Sequence, residues 1–309
     1  MKVKVSTLAF SNNQYLVDAL LQEFPDAEVN TLGVRMKDDA LIDFFANADG
    51  AIVGLEPVTA DVLDKLPKLR IISKYGVGLD NIDMEACKER EVNIGWTGGV
   101  NKRSVAEMAL GFMLALSRNL YVTSNQLKQL HWNKNGGLQL TGKTIGIIGV
   151  GHIGKELVTL LKPFNCRILV NDIEDVSEVA ASHELICVTK DELYVQSDII
   201  SIHTPFTEST ADLINASVFA KMKSSAFLIN TARGGIVNET DLKYALENNV
   251  IAGAALDVYE TEPPVSSKEL LSLPNLICTP HTGGNSYEAV VAMGMSAISH
   301  LVNFRDKVK

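Results

Sequence analysis

Residues 144–154 of this chain read Thr144-Ile145-Gly146-Ile147-Ile148-Gly149-Val150-Gly151-His152-Ile153-Gly154. The apolar run before Gly149 is nearly unbroken, which is typical of a central strand in a parallel sheet. The residues after the turn place apolar side chains at helical spacing and end near Pro163: Ile153, Leu157, Leu160, Leu161 and Phe164. The stretch therefore predicts a strand, a glycine-rich turn and a helix in direct succession.

The glycines of this turn match the pattern GxGxxG, and each has its own physical role. Gly149 permits a tight turn, Gly151 lets a ligand approach the backbone, and Gly154 lets the helix pack close to the strand. The N-terminus of the helix offers unpaired N–H groups and a partial positive charge to a pyrophosphate. A tight turn without a ligand is the alternative. We expect a dinucleotide to contact the loop residues: Gly149, Gly151, His152, Ile153 and Gly154.

The next apolar run ends at Asp172, 18 residues beyond Gly154. A carboxylate at this position accepts hydrogen bonds from the ribose hydroxyls and repels a 2′-phosphate. Residues 173–176 contain no Arg or Lys that would attract that phosphate. The sequence therefore predicts NAD rather than NADP as the cofactor.

Strand-like runs alternate with helical patterns along the whole chain, which indicates α/β architecture. Six runs suit one sheet around the glycine turn: 144–149, 168–170, 199–202, 227–229, 252–256 and 276–278. Earlier runs are found at 3–5, 51–53, 70–73 and 92–94, with helical candidates at 15–24, 38–45 and 59–65. A last helix candidate, residues 286–304, follows the completed series. We expect it to return to the first domain and make that domain discontinuous.

Composition argues against several classes of protein. The net charge of −9 and the scattered basic residues disfavour a nucleic-acid or anionic membrane surface. The chain shows neither the apolar stretch of a signal peptide nor the roughly 18 apolar residues of a membrane span. Its four cysteines are far apart and form no CxxC pair, which disfavours a metal site or a disulfide framework. We expect a cytoplasmic protein.

Three ionisable residues follow apolar runs of the predicted sheet. Arg233 comes after the run at 227–229, Glu262 after that at 252–256, and His281 after that at 276–278. Because open α/β sheets bind ligands at the carboxyl ends of their strands, these side chains are candidates for one catalytic site.

The chain resembles the D-isomer-specific 2-hydroxyacid dehydrogenase family, in its phosphoglycerate dehydrogenase-like branch. The matching motifs occur in the family's order over nearly the whole chain: Gly76–Asp83, Ser104–Glu107, Gly149–Gly154, His203-Thr204-Pro205, and the segments of Arg233, Glu262 and His281. The resemblance implies a Rossmann NAD-binding domain at residues 101–284. It also implies a flavodoxin-like α/β substrate domain at residues 1–100 and 285–309.

The same resemblance implies a role for each candidate residue. His281 would donate the proton for ketone reduction, as histidine side chains can near neutral pH. Glu262 would hold the other imidazole nitrogen and stabilise the imidazolium. Arg233 would bind the substrate carboxylate with its two-pronged guanidinium. Backbone N–H groups of Val77 and Gly78 would complete the carboxylate site.

Further cofactor contacts are expected around the same sheet: Val105, Thr204, Pro205, Thr231, Ala232, Asp257 and Gly283. Asp257 would bind the nicotinamide carboxamide, and a role as a turn cap is its alternative. His203 is interpreted as structural.

The substrate is open at this point. D-3-phosphoglycerate is one possibility, and glyoxylate or hydroxypyruvate is its close rival. Gly54 occupies a position where phosphoglycerate-type members usually have an arginine, although Lys74, Lys102 or Arg103 could compensate. A different class, resembling a corepressor branch of the family, is a non-catalytic scaffold that senses NAD.

We predict a homodimer built on a single helix from Ser104 to about Leu130. Its first half is apolar nearly all round, and we expect that one domain alone cannot bury all of these side chains. In some relatives a tryptophan from the following loop caps the neighbouring substrate site. Trp132 would bind substrate in this way, or else pack locally.

Overall fold

The computed structural model describes residues 1–308, which divide into two compact units. The first unit contains residues 1–101 together with the chain from Asn285 onward, and the second contains Lys102–Gly284. Each unit has its own parallel sheet with helices on both faces, so the predicted α/β class is confirmed.

The first unit is built on a five-stranded parallel sheet of order β2-β1-β3-β4-β5. Its interior strands are buried, which explains why they read as short apolar runs. The two residues of β2 were not predicted, since an edge strand this short leaves no apolar pattern. The strands are Val3–Val5 (β1), Glu28–Val29 (β2), Gly50–Val53 (β3), Ile71–Lys74 (β4) and Asn93–Gly95 (β5).

Helices cover both faces of this sheet, and alternate strand residues enter different cores. Ile52 packs in one core, whereas Ala51 and Val53 pack in the other. Thr59 caps its helix, since its side chain accepts a hydrogen bond from the Val62 N–H. The helices are Leu8–Ser11 (α1), Gln14–Glu23 (α2), Asp38–Phe45 (α3), Ala60–Asp64 (α4), Met84–Glu89 (α5) and the returning Tyr287–Lys307 (α14).

The second unit contains a seven-stranded parallel sheet of order β12-β11-β10-β9-β6-β7-β8. The prediction of six strands was one short, because β8 is a two-residue exposed edge strand. The strands are Thr144–Ile148 (β6), Arg167–Asn171 (β7), Ile186–Cys187 (β8), Ile199–Ile202 (β9), Phe227–Asn230 (β10), Gly253–Leu256 (β11) and Leu276–Cys278 (β12).

Helices again cover both faces of this sheet. The glycine turn leads from β6 into the predicted helix, which ends at Leu161 just before Pro163. The helices are Lys102–Ser117 (α6), Leu120–Lys128 (α7), His152–Leu161 (α8), Ser177–His183 (α9), Lys190–Gln196 (α10), Ala216–Phe219 (α11), Glu239–Glu247 (α12) and Lys268–Leu271 (α13).

The prediction of one helix from Ser104 to Leu130 is wrong. The chain breaks at Asn119, whose φ of 50° lies in the left-handed region, and α6 and α7 are bent by 64°. A later segment supplies the partners at this break: Leu138 donates its N–H to the Ser117 carbonyl, and Arg118 donates to the Gly136 carbonyl. Within residues 1–308 no single helix is long and apolar enough to span a membrane, although the bent pair α6–α7 meets the length and composition criteria together.

α6 buries most but not all of its apolar circumference, since Met108, Leu110 and Leu114 are only half-buried. Six of its apolar residues are buried: Val105, Ala106, Ala109, Phe112, Met113 and Leu116. All of them except Val105 pack in one core with residues of the sheet and α8. In contrast, every residue of α7 is at least partly exposed. The most exposed apolar side chains of this region therefore lie on α7 and the segment that follows it.

Candidate active site

The three glycines of the cofactor loop occupy three different environments. Gly149 has φ +93°, and a Cβ there would lie 2.6 Å from the His203 carbonyl oxygen. A Cβ on Gly154 would lie 2.2 Å from the Gly149 carbonyl oxygen, so α8 passes close to the turn. A Cβ on Gly151 would meet nothing within 4 Å. Two glycines are therefore required by the turn itself, and the third leaves open backbone where a pyrophosphate can approach.

Asp172 is tied to this loop. One carboxylate oxygen accepts from the Val150 N–H at 2.6 Å, and the other accepts from the Glu174 N–H at 3.0 Å. The side chain is half-buried, and a carboxylate has about four lone-pair sites, so further acceptor capacity remains. The residue can therefore both fix the loop and accept from ribose hydroxyls.

The loop after β9 carries His203, Thr204 and Pro205. The His203 ring lies with Nε2 2.8 Å from the Ser201 hydroxyl, and Nδ1 is enclosed without a partner among residues 1–308. Burial lowers the pKa of His203 to about 4, so the ring is neutral at pH 7. This supports its interpretation as structural and disfavours it as a proton donor.

The turn after β10 is held by Asn230, which the sequence reasoning missed. Its buried amide accepts from the Ala232 N–H at 3.0 Å and donates to the Arg233 carbonyl at 2.9 Å. Thr231 is buried, and its hydroxyl has no hydrogen-bond partner among residues 1–308. This hydroxyl is an enclosed polar atom at the sheet edge that also carries the glycine loop. A bound cofactor would supply the hydrogen-bond partner that it lacks.

Asp257 is almost fully buried, with 1% of its surface exposed. Its carboxylate accepts from the N–H groups of Thr282 and Gly283 at 2.8 and 2.7 Å, and from the Thr279 hydroxyl at 2.5 Å. These bonds fasten the end of β11 to the loop that carries His281. The geometry favours the turn-binding alternative for Asp257, and a contact with the carboxamide stays a prediction.

His281 and Glu262 form a pair. Nδ1 of His281 lies 2.8 Å from Oε2 of Glu262, while Oε1 of Glu262 accepts from the Tyr259 N–H at 3.2 Å. The carboxylate is thus anchored by one oxygen and holds the imidazole with the other. His281 is 42% exposed at its side chain and has φ 54°, a region unusual for residues other than glycine. Because Nδ1 faces Glu262, a proton exchanged with a ligand would have to pass through Nε2.

Tyr259 connects the segments of all three candidate residues, and the sequence reasoning missed it. Its hydroxyl donates to the Thr279 carbonyl at 2.9 Å, two residues before His281. A Cβ on Gly234 would lie 1.8 Å from the Tyr259 carbonyl oxygen, so the Arg233 turn packs directly against this residue. Burial raises the pKa of the Tyr259 hydroxyl, which keeps it a neutral donor.

A buried network surrounds the loop after β4 in the first unit. The ammonium of Lys74 donates to the Gly54 carbonyl and to Asn81 Oδ1, the latter at 2.6 Å. Asn81 in turn donates to the Glu56 carbonyl at 2.6 Å. Lys74 is only 4% exposed. Its charge is committed inside the unit, which disfavours Lys74 as a substitute for a missing phosphate ligand.

Gly54 has no room for a larger side chain. A Cβ there would lie 2.5 Å from the Thr7 hydroxyl oxygen and 2.9 Å from Thr7 Cβ. Its N–H donates to the buried carboxylate of Glu56 at 2.6 Å. An arginine at this position would require Thr7 to move.

The other two basic candidates belong to the second unit and share one partner. Lys102 lies 3.3 Å from a Glu156 carboxylate oxygen, and Arg103 lies 2.8 Å from the other.

Among residues 1–308 no cluster of His, Cys, Asp or Glu side chains could hold a metal ion.

Comparison with known proteins identifies the chemistry. Residues 110–283 match the model of the D-isomer specific 2-hydroxyacid dehydrogenase, NAD binding domain. The chain is 35% identical over 280 residues to the hydroxypyruvate reductase of Thermotoga maritima, covering 89% of this chain and 90% of that protein. It is 38% identical over 279 residues to the D-3-phosphoglycerate dehydrogenase of Methanocaldococcus jannaschii, covering 89% of this chain and 52% of that one.

A solved structure of D-2-hydroxyisocaproate dehydrogenase superposes with a TM-score of 0.87 at 26% identity, covering 100% of this chain and 98% of that chain. The chain therefore spans nearly all of the reductase and the isocaproate enzyme, but about half the length of the phosphoglycerate dehydrogenase.

Proposed function

We propose, given that this chain belongs to the D-isomer-specific 2-hydroxyacid dehydrogenase family, that it reduces a small unphosphorylated 2-keto acid of the glyoxylate or hydroxypyruvate type. The general activity follows from the family: the protein is an NAD-dependent oxidoreductase that acts on CH–OH donors, and the predicted cofactor is confirmed. The proposal concerns the substrate and the roles of individual residues.

The geometry of the second unit supports the catalytic roles that we propose. NADH supplies the hydride for carbon 2 of the keto acid. His281 holds a proton at Nε2 and donates it to the carbonyl oxygen, so that the ketone becomes a hydroxyl group. Because the His281 side chain is 42% exposed, solvent can return the proton for the next turnover.

Glu262 orients the imidazole through the 2.8 Å contact at Nδ1, and its negative charge stabilises the protonated ring. Arg233 binds the substrate carboxylate with its planar guanidinium, which offers two parallel donors. In the first unit the N–H groups of Val77 and Gly78 also bind a carboxylate oxygen. This contact stays a prediction.

The Gly54 position carries the proposal for an unphosphorylated substrate. Thr7 fills the space that an arginine would need, and the buried ammonium of Lys74 is held by Gly54 and Asn81. Lys102 and Arg103 both pair with Glu156. The chain therefore lacks an arginine at this position, and the three proposed substitutes already have partners.

Initial rates of NADH oxidation with glyoxylate, hydroxypyruvate and 3-phosphohydroxypyruvate test the proposal. We expect the two unphosphorylated acids to give the higher kcat/KM. Lys102→Met is the matched control, and it should leave the ratio between substrates unchanged. A higher kcat/KM for 3-phosphohydroxypyruvate, lost in Lys102→Met, would overturn the proposal.

D-3-phosphoglycerate dehydrogenase is the second candidate, since the relative of that name is 38% identical to this chain. A non-catalytic NAD-sensing scaffold is the candidate from another class. Turnover of any 2-keto acid separates it from both enzymes.

The exposed apolar surface of α7 and its following segment supports a homodimer. Residues of this surface include Leu120, Tyr121, Leu127, Leu130, Trp132 and Leu138. Several exposed apolar side chains on one segment are typical of a protein interface. Trp132 is 76% exposed, so it does not pack locally within the second unit, and we place it against the partner subunit.

Light scattering at micromolar concentration tests the dimer, and a monomer would end this proposal. If the protein is dimeric, Trp132→Ala should lower kcat/KM for the keto acid. A cytoplasmic location without nucleic-acid or membrane partners stays a prediction.

A further inference from the structure

The loop after β4 presents a peptide group whose direction is set by its surroundings. Gly76 has φ +124°, a conformation that side-chain-bearing residues rarely adopt. Val77 and Gly78 follow and are half-buried. The peptide bond between them carries the Val77 carbonyl and the Gly78 N–H, and in a trans peptide these two groups point in opposite directions.

Trp96 lies directly after β5, which pairs in parallel with β4. The two loops therefore leave the same edge of the sheet. The indole Nε1–H of Trp96 donates to the Val77 carbonyl oxygen at 3.0 Å. Trp96 lies outside the motifs named in the sequence, so no role was predicted for it.

A donor on the Val77 carbonyl has two effects on the Gly78 N–H. It fixes the plane of the peptide, so that the N–H points away from the indole in one direction. It also polarises the peptide, which strengthens the opposite N–H as a donor by roughly 10–30%. A pre-oriented and polarised donor binds an anion better than a loop that must first be ordered.

The indole is 41% exposed, so this bond contributes little to the core of the unit. The loop has a second support besides Trp96. A Cβ on Gly76 would lie 3.5 Å from Cε of the buried Lys74, so this side chain packs close to the loop. Removal of the indole N–H should therefore change the loop's direction and donor strength more than the stability of the fold.

We infer that Trp96 is a positioning residue that aims the Gly78 N–H at the substrate carboxylate. This inference rests on the proposed function, in which Val77 and Gly78 bind that carboxylate. It adds a side chain that acts through the backbone and sets affinity for the keto acid rather than the rate of hydride transfer.

Trp96→Phe keeps an aromatic ring and removes the N–H donor. The loss of one hydrogen bond worth about 1 kcal/mol should raise KM for glyoxylate and hydroxypyruvate about fivefold. We expect kcat and KM for NADH to change less than about twofold, since neither depends on this peptide. A variant with an unchanged KM for both keto acids, or with kcat and both KM values altered together, would overturn the inference.

A spectroscopic measurement gives a second readout, because the chain contains two tryptophans, Trp96 and Trp132. Labelling with nitrogen-15 tryptophan should give two indole N–H signals, and Trp96→Phe and Trp132→Phe assign them. Titration with oxamate, a keto-acid analogue that is not reduced, should shift the Trp96 signal in a saturable way when NADH is present. An unmoved Trp96 signal at saturating oxamate would overturn the inference.

The two failures are distinguishable. If the unmutated protein reduces keto acids while Trp96→Phe has the same KM, the inference fails and the proposed function stands. If the unmutated protein reduces no 2-keto acid, both fail.

Discussion

His203 and His281 follow strands of the same sheet, and their surroundings differ in two respects. The ring of His203 is enclosed, with its Nε2 beside a serine hydroxyl. The ring of His281 is 42% exposed and faces the carboxylate of Glu262. A position after the carboxyl end of a strand therefore brings a histidine to the cofactor-binding edge of the sheet. Exposure and a charged partner decide which histidine can carry a proton.

The two loops also differ in what fixes them. The His281 loop is fastened by Asp257 and Tyr259, both buried and both contributed by the segment after β11. These contacts let an exposed side chain keep a defined position. The His203 loop instead supplies the carbonyl oxygen that the Gly149 turn approaches closely. The His281 loop thus presents a reactive group, whereas the His203 loop packs against the glycine turn.

The difference between the two histidines predicts the largest loss of activity for a substitution of His281. His281→Ala should lower kcat by roughly 10²–10⁴-fold, the usual contribution of a positioned acid. NADH affinity, measured by fluorescence titration, should barely change. Near-full turnover by this variant would exclude His281 as the proton donor. Exposure beside a carboxylate would then not distinguish the catalytic histidine from His203.

A smaller effect is expected when the substrate-binding candidate Arg233 is changed. Arg233→Lys keeps the charge and loses the planar fork, so kcat/KM for the keto acid should fall roughly ten- to hundredfold. Steady-state kinetics with both substrates varied measures it. If the loss appeared in KM for NADH alone, Arg233 would be a cofactor ligand.

The charged partner is tested by Glu262→Gln. Without the negative charge the protonated imidazole is less stable, so the keto-acid reduction rate should begin to fall at a lower pH than in the unmutated enzyme. We expect a larger loss of rate at pH 8 than at pH 6, since the protonated ring is the proton donor. Glu260→Gln is the matched control, since the Glu260 carboxylate accepts from the Glu239 N–H instead. Superimposable pH profiles of Glu262→Gln and the unmutated enzyme would remove Glu262 from the pair.

The smallest effect on rate is expected at His203, whose contribution is to stability. Its pKa is about 4 in the folded chain and 6.5 ordinarily, so the unfolded chain takes up the proton first as the pH falls. Stability is therefore full above pH 6.5 and is lost between pH 6.5 and 4, by at most about 3 kcal/mol.

Urea unfolding at pH 7 and pH 5 measures this loss, which His203→Gln should largely abolish while the kinetic pH profile stays in place. An equal pH dependence of unfolding in both proteins would show that His203 is not the buried neutral group.

Strands of three or more residues could be predicted to within a few residues, and the two-residue exposed strands could not. The runs at 199–202 and 276–278 coincide with β9 and β12. The edge strands β2 and β8 were missed, since two exposed residues carry no periodic signal. The break between α6 and α7 was missed because its cause lies elsewhere: the Leu138 N–H and the Gly136 carbonyl stabilise it from nearly 20 residues away.

The sequence alone determined the order of strands and helices, the cofactor loop and the three ionisable candidates. These depend on local periodicity, on the steric needs of Gly149 and Gly154, and on residue types that follow each strand. Tertiary packing decided what each candidate can do. It enclosed His203 and exposed His281, committed Asp257 to the loop after β12, and closed the space beside Gly54. The reason is that burial and hydrogen-bond partners depend on residues far apart in the chain, which no local pattern records.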